Sequence, residues 1–239
     1  MAGLFHRLFS PHRRREDRKP HGRRETPRPR SRTSQAAWWE QQWSQPDMQA
    51  RFLGRPVSPE IVAAVEEGWL PRGGHVLDAG CGEGVVADWM SRNGFTALGV
   101  DIAPSAIERA RSMYPEGPAL RFDVADLRRK APAGEKPFDV VIDRGCFHQM
   151  RDDDLPPYVA NLTDACAPDA RMLIFYRAYR RGVPHGDPQE RARVVGRVER
   201  FYAGRFALER AADTYTDPSF GADPETRMSG IVMWLRRDR

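Results

Sequence analysis

Residues 75–84 read HVLDAGCGEG and carry the clearest structural signal in the chain. The apolar run 75–79 predicts a short strand that passes straight into three glycines with GxGxG spacing, followed by a helix that ends near Arg92. Glycines suit such a loop because the chain has to turn sharply and its backbone has to lie against a ligand without an intervening side chain. The pattern predicts a ligand-binding loop; a purely structural turn is the alternative interpretation.

A carboxylate stands at the end of the next predicted strand. Asp101 closes the run 96–100 and follows Gly84 by 17 residues. At that position its carboxylate could accept hydrogen bonds from both ribose hydroxyls of an adenosine. The loop and the carboxylate together predict a nucleoside cofactor, whereas the GxGxG spacing differs from the GxGxxG spacing of most nicotinamide dinucleotide sites.

Strands and helices alternate along most of the chain. Further strands are predicted at 119–122, 138–142 and 171–176, and helices at 104–113, 155–166 and 188–202. Such alternation implies right-handed crossovers and a parallel sheet with helices on both faces. Two last strand-like runs, 206–214 and 230–235, have no helix between them and predict an antiparallel hairpin at the sheet edge. The predicted fold is α/β: a Rossmann-like, doubly wound, mostly parallel seven-stranded sheet with a C-terminal antiparallel hairpin.

The charge of the chain is concentrated at its start. Residues 1–33 contain 11 Lys or Arg and 3 acids, a balance of +8 in a chain of net charge +5, so the remainder carries −3. This proline-rich start has few apolar residues and cannot bury enough surface to offset its ordering entropy. We expect a disordered basic tail over 1–35 and one domain over 36–239, opened by a helical lid over 36–70. The acidic balance of the domain argues against nucleic acid as a partner, except through the tail.

The cysteine and hydropathy patterns narrow the setting of the protein. The three cysteines are widely spaced and form no CxxC pair, which disfavours a disulfide framework and a structural zinc site and suits a reducing cytoplasm. No apolar run approaches the roughly 18 residues of a membrane-spanning helix. Cys146 lies close to His148 in sequence, but no third ligand has recognisable spacing, so no metal site is predicted. Oligomeric state does not follow from these patterns.

Four segments resemble successive motifs of the class I S-adenosylmethionine-dependent methyltransferases. They are VLDAGCGEG (76–84), ALGVDIAPSAIERAR (97–111), RFDVADL (121–127) and FDVVIDRGCFHQM (138–150). The resemblance implies an S-adenosylmethionine cofactor, with the glycine loop at its methionine end, Asp101 at the ribose, and Asp123 and the Val124 N–H at the adenine. The implied cofactor-binding residues are Asp78, Gly80, Cys81, Gly82, Gly84, Asp101, Ile102, Asp123 and Val124. Asp126 is the less favoured substitute for Asp123 and is expected to be a loop or capping acid.

A second resemblance concerns the start of the predicted domain. The segments WEQQW (39–43), GRPVSP (54–59) and DRG (143–145) look like parts of the thiopurine, thiol and halide methyltransferases. In those enzymes the N-terminal segment folds over the cofactor, which makes Trp39 and Trp43 candidate shielding residues. The alternative is that both tryptophans simply pack the lid helix into the core. Since the chain lacks the Phe-His pair of the thiopurine enzymes, the acceptor class stays open.

The residues after Ile142 are expected to face the acceptor, because ligands of open parallel sheets bind beyond the carboxyl ends of the strands. Methyl transfer mainly requires alignment and exclusion of water, so a thiol, amine or halide acceptor needs no strong base. For a hydroxyl acceptor, His148 or Asp143 could remove the proton. Alternatively, His148 is a helix residue bonded to backbone, and Asp143 orients the cofactor amino group or the acceptor.

The predicted function is therefore methyl transfer from S-adenosylmethionine to a small-molecule acceptor through sulfur, oxygen, nitrogen or halide. Three alternatives remain at this point: an RNA methyltransferase assisted by the basic tail, a nicotinamide-dependent oxidoreductase, and a non-catalytic scaffold. The intact glycines and Asp101 argue against the scaffold, which would have no need of them.

Overall fold

A computed structural model describes residues 32–46, 48, 56–177, 184–215 and 229–238 of the chain. The predicted tail lies outside the described residues up to position 31. The first helix begins at Arg32, four residues ahead of the predicted start of the domain. Part of the predicted lid, residues 49–55, also lies outside the described residues.

The described helices and strands follow one another in the order that the sequence predicts. The helices are α1 (Arg32–Trp43), α2 (Pro59–Glu66), α3 (Val85–Arg92), α4 (Pro104–Met113), α5 (Leu155–Ala165) and α6 (Pro188–Tyr202). The strands are β1 (His75–Ala79), β2 (Thr96–Asp101), β3 (Leu120–Val124), β4 (Phe138–Asp143), β5 (Cys166–Arg177), β6 (Phe206–Tyr215) and β7 (Ser229–Arg237).

The seven strands form one sheet in the order β3-β2-β1-β4-β5-β7-β6. Neighbouring strands from β3 to β5 are parallel, and β7 is antiparallel to both β5 and β6. This arrangement confirms the predicted fold class and the terminal hairpin. The strand order reverses between β1 and β4, and open α/β sheets bind their ligands in the crevice at that point.

Strand β5 begins at Cys166, five residues before the predicted start. Residues 166–170, CAPDA, hold a proline and an aspartate, which are depleted in strands, so the sequence pattern conceals this part. The pairing of β4 with β5 shifts register between Phe138 and Val140, and Asp169 has a φ of 61°. An irregular start of the strand explains the difference.

The sheet is covered on both faces, as its parallel strands require. On one face, buried side chains of α5 and α6 such as Leu162 and Val198 pack against Leu77 of β1. On the other face, Ile61 of α2 and Met90 of α3 pack against Val76. Each large apolar side chain buried in this way contributes about 1.5–3 kcal/mol to folding. The two layers leave the carboxyl ends of the parallel strands at one edge of the sheet, where the predicted site residues Asp78, Asp101 and Asp143 lie.

None of the helices in the described part of the chain is long and apolar enough to cross a membrane.

Candidate active site

The glycine loop follows β1 at the carboxyl edge of the sheet and is fastened to β2. The N–H groups of Gly80 and Cys81 both donate to the carbonyl of Val100, at 2.8 and 3.0 Å. Gly82 and Gly84 have φ values of 55° and 84°, in the left-handed region that favours glycine. A Cβ atom at Gly82 would lie 2.7 Å from the ring of Trp43. The loop therefore has no room for a side chain at Gly82, and its backbone is exposed to the crevice there.

Asp101 is 8% exposed and lies beside this loop. One carboxylate oxygen accepts the N–H of Gly82 at 3.0 Å, and the other accepts the N–H of Ala103 at 3.0 Å. Burial raises the pKa of the Asp101 carboxyl, against the lowering effect of these bonds. Ile102 follows it and is half-buried. Asp101, the residue predicted to bind the ribose, is thus hydrogen-bonded directly to the glycine loop.

Asp78 lies under the loop. It is buried, and its Oδ2 accepts the N–H of Ala87 in the first turn of α3 at 3.1 Å. Burial raises the pKa of the Asp78 carboxyl to about 7, and the hydrogen bond from Ala87 and the charge of Arg144 act in the lowering direction. Asp78 joins β1 to α3 and supports the loop from below.

Asp123 and Val124 end β3 on the same edge of the sheet. Both are exposed, and Val124, at 41%, is the one exposed large apolar residue found among the described residues. The Val124 N–H donates to Oδ1 of Asp123 at 2.8 Å. The resemblance to the methyltransferases assigns this N–H to the adenine ring of the cofactor. Asp126 makes two bonds of 2.8 Å to the buried Arg128, in keeping with its expected role as a loop acid.

Helix α1 lies over the glycine loop. Trp43 is buried, with its ring over Gly82, and packs with Ala103 and Ala106. Trp39 packs against the same cluster but is only partly buried. Trp43 therefore packs the helix into the core and covers the loop. Its role in shielding the cofactor stays a prediction.

Two polar contacts hold α1 in this position. The Glu40 carboxylate accepts hydrogen bonds from the N–H and the hydroxyl of Ser105 at 3.1 and 3.0 Å. The Gln35 side chain donates to Asp154 at 3.2 Å and also contacts Arg128. Glu40 is not among the site residues predicted from the sequence. The sequence shows only that α4 needs an acceptor from elsewhere, because Ala103 at its N-cap has none in its side chain and the first N–H groups of a helix need one. It does not show which residue supplies that acceptor.

Asp143, the second predicted base, is enclosed by the turn that follows β4. It is fully buried, and its Oδ1 accepts the N–H groups of Cys146 and Phe147 at 2.7 and 3.1 Å. Its Oδ2 accepts the hydroxyl of Tyr158 at 2.7 Å. Burial raises the pKa of the Asp143 carboxyl to about 6, against the lowering effect of the Tyr158 bond. Both oxygens are engaged within the protein, so Asp143 organises the turn after β4. Its role as a base stays a prediction.

His148 lies in the short 3₁₀ turn Phe147–Gln149 and is half-buried. Its Nδ1 is 3.2 Å from the carbonyl oxygen of Phe175, and its Nε2 is 2.8 Å from the amide nitrogen of Gln149. A carbonyl can only accept, so Nδ1 carries the proton and Nε2 holds a lone pair that accepts the Gln149 N–H. The imidazole is bonded to backbone and still retains a basic nitrogen.

Cys81 lies within the loop, and Cys146 lies against it, since a Cβ atom at Gly80 would be 3.2 Å from the Cβ of Cys146. Burial raises the pKa of each well above its usual range, so both thiols are neutral and neither is an activated nucleophile. Within the described ranges there is no cluster of His, Cys, Asp and Glu that could hold a metal ion.

Comparisons with known proteins identify the family. The family model described as a methyltransferase domain matches residues 76–169. An uncharacterized methyltransferase of Schizosaccharomyces pombe is 35% identical over 106 residues, which cover 44% of this chain and 71% of that protein. The chain is a class I S-adenosylmethionine-dependent methyltransferase. Membership of this family sets the oxidoreductase alternative aside.

Two further relatives extend the comparison of this methyltransferase. The 2-heptyl-1-hydroxyquinolin-4(1H)-one methyltransferase of Mycobacteroides abscessus is 36% identical over 124 residues, or 51% of this chain and 53% of that protein. The chain thus spans about half the length of this curated relative. The structure of 1,6-didemethyltoxoflavin-N1-methyltransferase from Burkholderia thailandensis has a TM-score of 0.64 at 20% identity, over 90% of this chain and 94% of the other. It shows the same fold.

The site of the methyltransferase fits S-adenosylmethionine. The glycine cradle would be filled by a Cβ atom at Gly82, and a buried carboxylate at the end of β2 is fixed by the N–H of that same glycine. Exposed Val124 offers an apolar surface at the end of β3 for a flat ring. The resemblance to the thiopurine, thiol and halide group stays a prediction.

Proposed function

We propose that this methyltransferase transfers the methyl group of S-adenosylmethionine to a hydroxyl oxygen of a small aromatic acceptor, with His148 as general base. The observation that carries the proposal is the 3.2 Å contact between His148 Nδ1 and the Phe175 carbonyl oxygen. A carbonyl can only accept, so in the neutral ring this contact assigns the proton to Nδ1 and leaves Nε2 as the basic atom. The names of two relatives support the acceptor class. One is the hydroxyquinolone methyltransferase, and the other is a ubiquinone biosynthesis O-methyltransferase of Paracidovorax citrulli, 29% identical over 137 residues.

The cofactor is held by the residues around the glycine loop. The loop backbone binds its methionine end, Asp101 its ribose, and Asp123 and Val124 its adenine. Trp43 and the rest of α1 act as a lid that keeps water from the crevice, since Trp43 is buried over Gly82. When bound, S-adenosylmethionine supplies a methyl group on a cationic sulfur, and that charge disappears on transfer.

His148 supplies the acid–base chemistry. The acceptor hydroxyl would replace the Gln149 N–H at Nε2 and give its proton to that nitrogen. Its oxygen would form a bond to the methyl carbon as the methyl–sulfur bond breaks, with S-adenosylhomocysteine as the leaving group. The bond from Nδ1 to the Phe175 carbonyl holds the ring in place and stabilises the imidazolium that forms. Because a thiol, amine or halide acceptor has no need of this step, the basic nitrogen favours oxygen.

The test compares acceptors that share one ring. Hydroxyquinoline, aminoquinoline and mercaptoquinoline of the same substitution pattern are assayed with the full chain for transfer of a labelled methyl group. We expect the hydroxyl compound to be methylated fastest and His148→Gln to slow that reaction by roughly 10²–10⁴-fold, the usual contribution of a general base. Affinity for S-adenosylhomocysteine should stay unchanged.

The matched control is His75→Gln, at the first residue of β1 and so at the amino edge of the sheet. It should methylate like the unaltered protein. Faster turnover of the amine or thiol compound, or a His148→Gln variant with full activity toward the hydroxyl compound, would overturn the proposal.

A further inference from the structure

The Arg197 side chain of α6 holds the two segments that flank His148. Its Nη2 donates to the carbonyl of Met150 at 2.9 Å, and its Nη1 donates to the hydroxyl of Tyr176 at 3.1 Å. Its Nε and Nη2 both donate to Oδ1 of Asp152, at 3.0 and 2.9 Å. The Arg197 side chain is only 15% exposed. One planar guanidinium thus joins the segment after β4 to the end of β5.

The same guanidinium lies against two aromatic rings. Its carbon is 5.2 Å from the ring centroid of Phe147 and 5.8 Å from that of Tyr176, within the range of cation–π attraction. Phe147 is itself fixed from the other side, because its N–H donates to Asp143 at 2.9 Å. Arg197 therefore contacts both the residue that precedes His148 and the residue that follows Phe175.

These contacts converge on the histidine ring. The ring centroids of His148 and Tyr176 are 5.7 Å apart, and the Phe175 carbonyl that accepts the Nδ1–H belongs to the peptide bond that leads to Tyr176. Moving either segment relative to the other would break the Nδ1 bond. The tautomer with a basic Nε2 depends on that bond.

We infer that Arg197 is a positioning residue for the methyl-transfer reaction: it fixes His148 by clamping Met150, Phe147 and Tyr176 around it. This inference rests on the proposed role of His148 as base. Arg197 touches neither the base nor, on these contacts, the crevice, so its effect should fall on the chemical step and leave cofactor binding intact. A misplacement of the base by about 1 Å is enough to cost on the order of 10²-fold in rate.

The test replaces Arg197 by methionine, which keeps an unbranched side chain and removes every donor. The matched control is Arg200→Met on the same helix, because Arg200 also contacts Asp152 and lies over the Phe201 ring but is 60% exposed. We expect Arg197→Met to lower kcat for the hydroxyquinoline by about 10–100-fold with KM and S-adenosylhomocysteine affinity within about twofold of the unaltered protein. Arg200→Met should keep kcat within about twofold.

Nitrogen NMR of the histidine rings supplies a readout that does not depend on turnover. The His148 signals are assigned by their absence in His148→Gln. The unaltered protein and Arg200→Met should show one His148 tautomer with its proton on Nδ1, and Arg197→Met should show an average of both tautomers. If Arg197→Met is too unstable for either measurement, Tyr176→Phe removes one acceptor of the clamp, keeps the ring, and should give a smaller shift in the same direction.

The outcomes separate the two proposals. Full activity of His148→Gln would remove the base from the proposed function, while an averaged tautomer in Arg197→Met would still support the clamp. Loss of activity in His148→Gln together with unaltered kcat and unaltered ring signals in Arg197→Met and Tyr176→Phe would overturn the inference alone.

Discussion

The Glu40 carboxylate accepts hydrogen bonds from the N–H and the hydroxyl of Ser105, although 65 residues separate the two. Ser105 lies in the first turn of α4, where N–H groups have no partner within the helix. The N-cap residue, Ala103, has no oxygen in its side chain. Glu40 therefore caps α4 from outside, and its negative charge also suits the positive end of the helix dipole. This cap joins α1 to the segment that follows Asp101.

Glu40→Ala is expected to loosen the lid and weaken cofactor binding. The lost cap should lower the free energy of unfolding by about 1 kcal/mol, the usual effect of removing an N-cap. Affinity for S-adenosylhomocysteine, measured by calorimetry, should fall as well, because Trp43 over Gly82 would be held less firmly. The exposed neighbour Gln41 provides the control, since Gln41→Ala leaves the cap intact. Equal affinities of the two variants would contradict the role of α1 as a lid.

Gly82→Ala should abolish tight cofactor binding even though it adds a single carbon. The residue has a φ of 55°, and its new Cβ would lie 2.7 Å from the Trp43 ring. Both the backbone strain and the clash push the loop or the lid out of place. The measurement is S-adenosylhomocysteine affinity together with the melting temperature.

Gly196→Ala is the matched control for this substitution. Gly196 lies within α6, and a Cβ there would meet nothing within 4 Å. Alanine should stabilise the helix by roughly 0.5–1 kcal/mol and leave binding unchanged. A Gly82→Ala variant that binds as well as Gly196→Ala would contradict the description of the loop.

Local sequence patterns predict most of this fold, because apolar runs, glycines and helix-favouring segments carry the information. They fail where tertiary contacts decide. The first helix extends to Arg32, within a segment read as tail, and Gln35 of that helix binds to Asp154 across the molecule. The early part of β5 is hidden by its proline and aspartate.

The site shows the same division between local and distant information. The GxGxG loop and Asp101 are predictable because a short stretch of chain determines their geometry. Asp143 ends its strand as predicted, but its role depends on Tyr158 and on the turn that encloses it. Glu40 and Arg197 act on partners 65 and 47 residues away, at Ser105 and Met150, so no local pattern reveals them.

Asp101→Asn is expected to weaken S-adenosylhomocysteine binding by about 10–100-fold, because a hydrogen bond to a charged group contributes about 1.5–3 kcal/mol. The amide keeps the size of the side chain but has one acceptor oxygen in place of two, so it cannot serve Gly82, Ala103 and a ribose together. Calorimetry measures the affinity. Asp139→Asn is the control, because Asp139 accepts the N–H of His75 at the opposite edge of the sheet, at 2.8 Å. Unchanged affinity in Asp101→Asn would reject the ribose role.

Asp78→Asn should change how stability depends on pH. Burial raises the pKa of Asp78 to about 7 in the folded protein, whereas an unfolded aspartate has a pKa near 3.9. Between roughly pH 4 and pH 7 the folded state therefore binds the extra proton, and the free energy of unfolding falls as the pH rises through this window. The stabilising contribution of the neutral carboxyl is fully present below about pH 4 and is lost by about pH 7.

Asparagine has no such proton, and its oxygen can still accept the Ala87 N–H. The stability of Asp78→Asn relative to the unaltered protein should consequently rise across that window, by up to about 1.4 kcal/mol per pH unit for one proton. Urea unfolding of both proteins at roughly pH 4.5, 5.5 and 6.5 measures the difference in their free energies of unfolding. If the stability difference between the two proteins stays constant or falls with pH, Asp78 is already ionised in the folded protein. It would then support the glycine loop as a carboxylate.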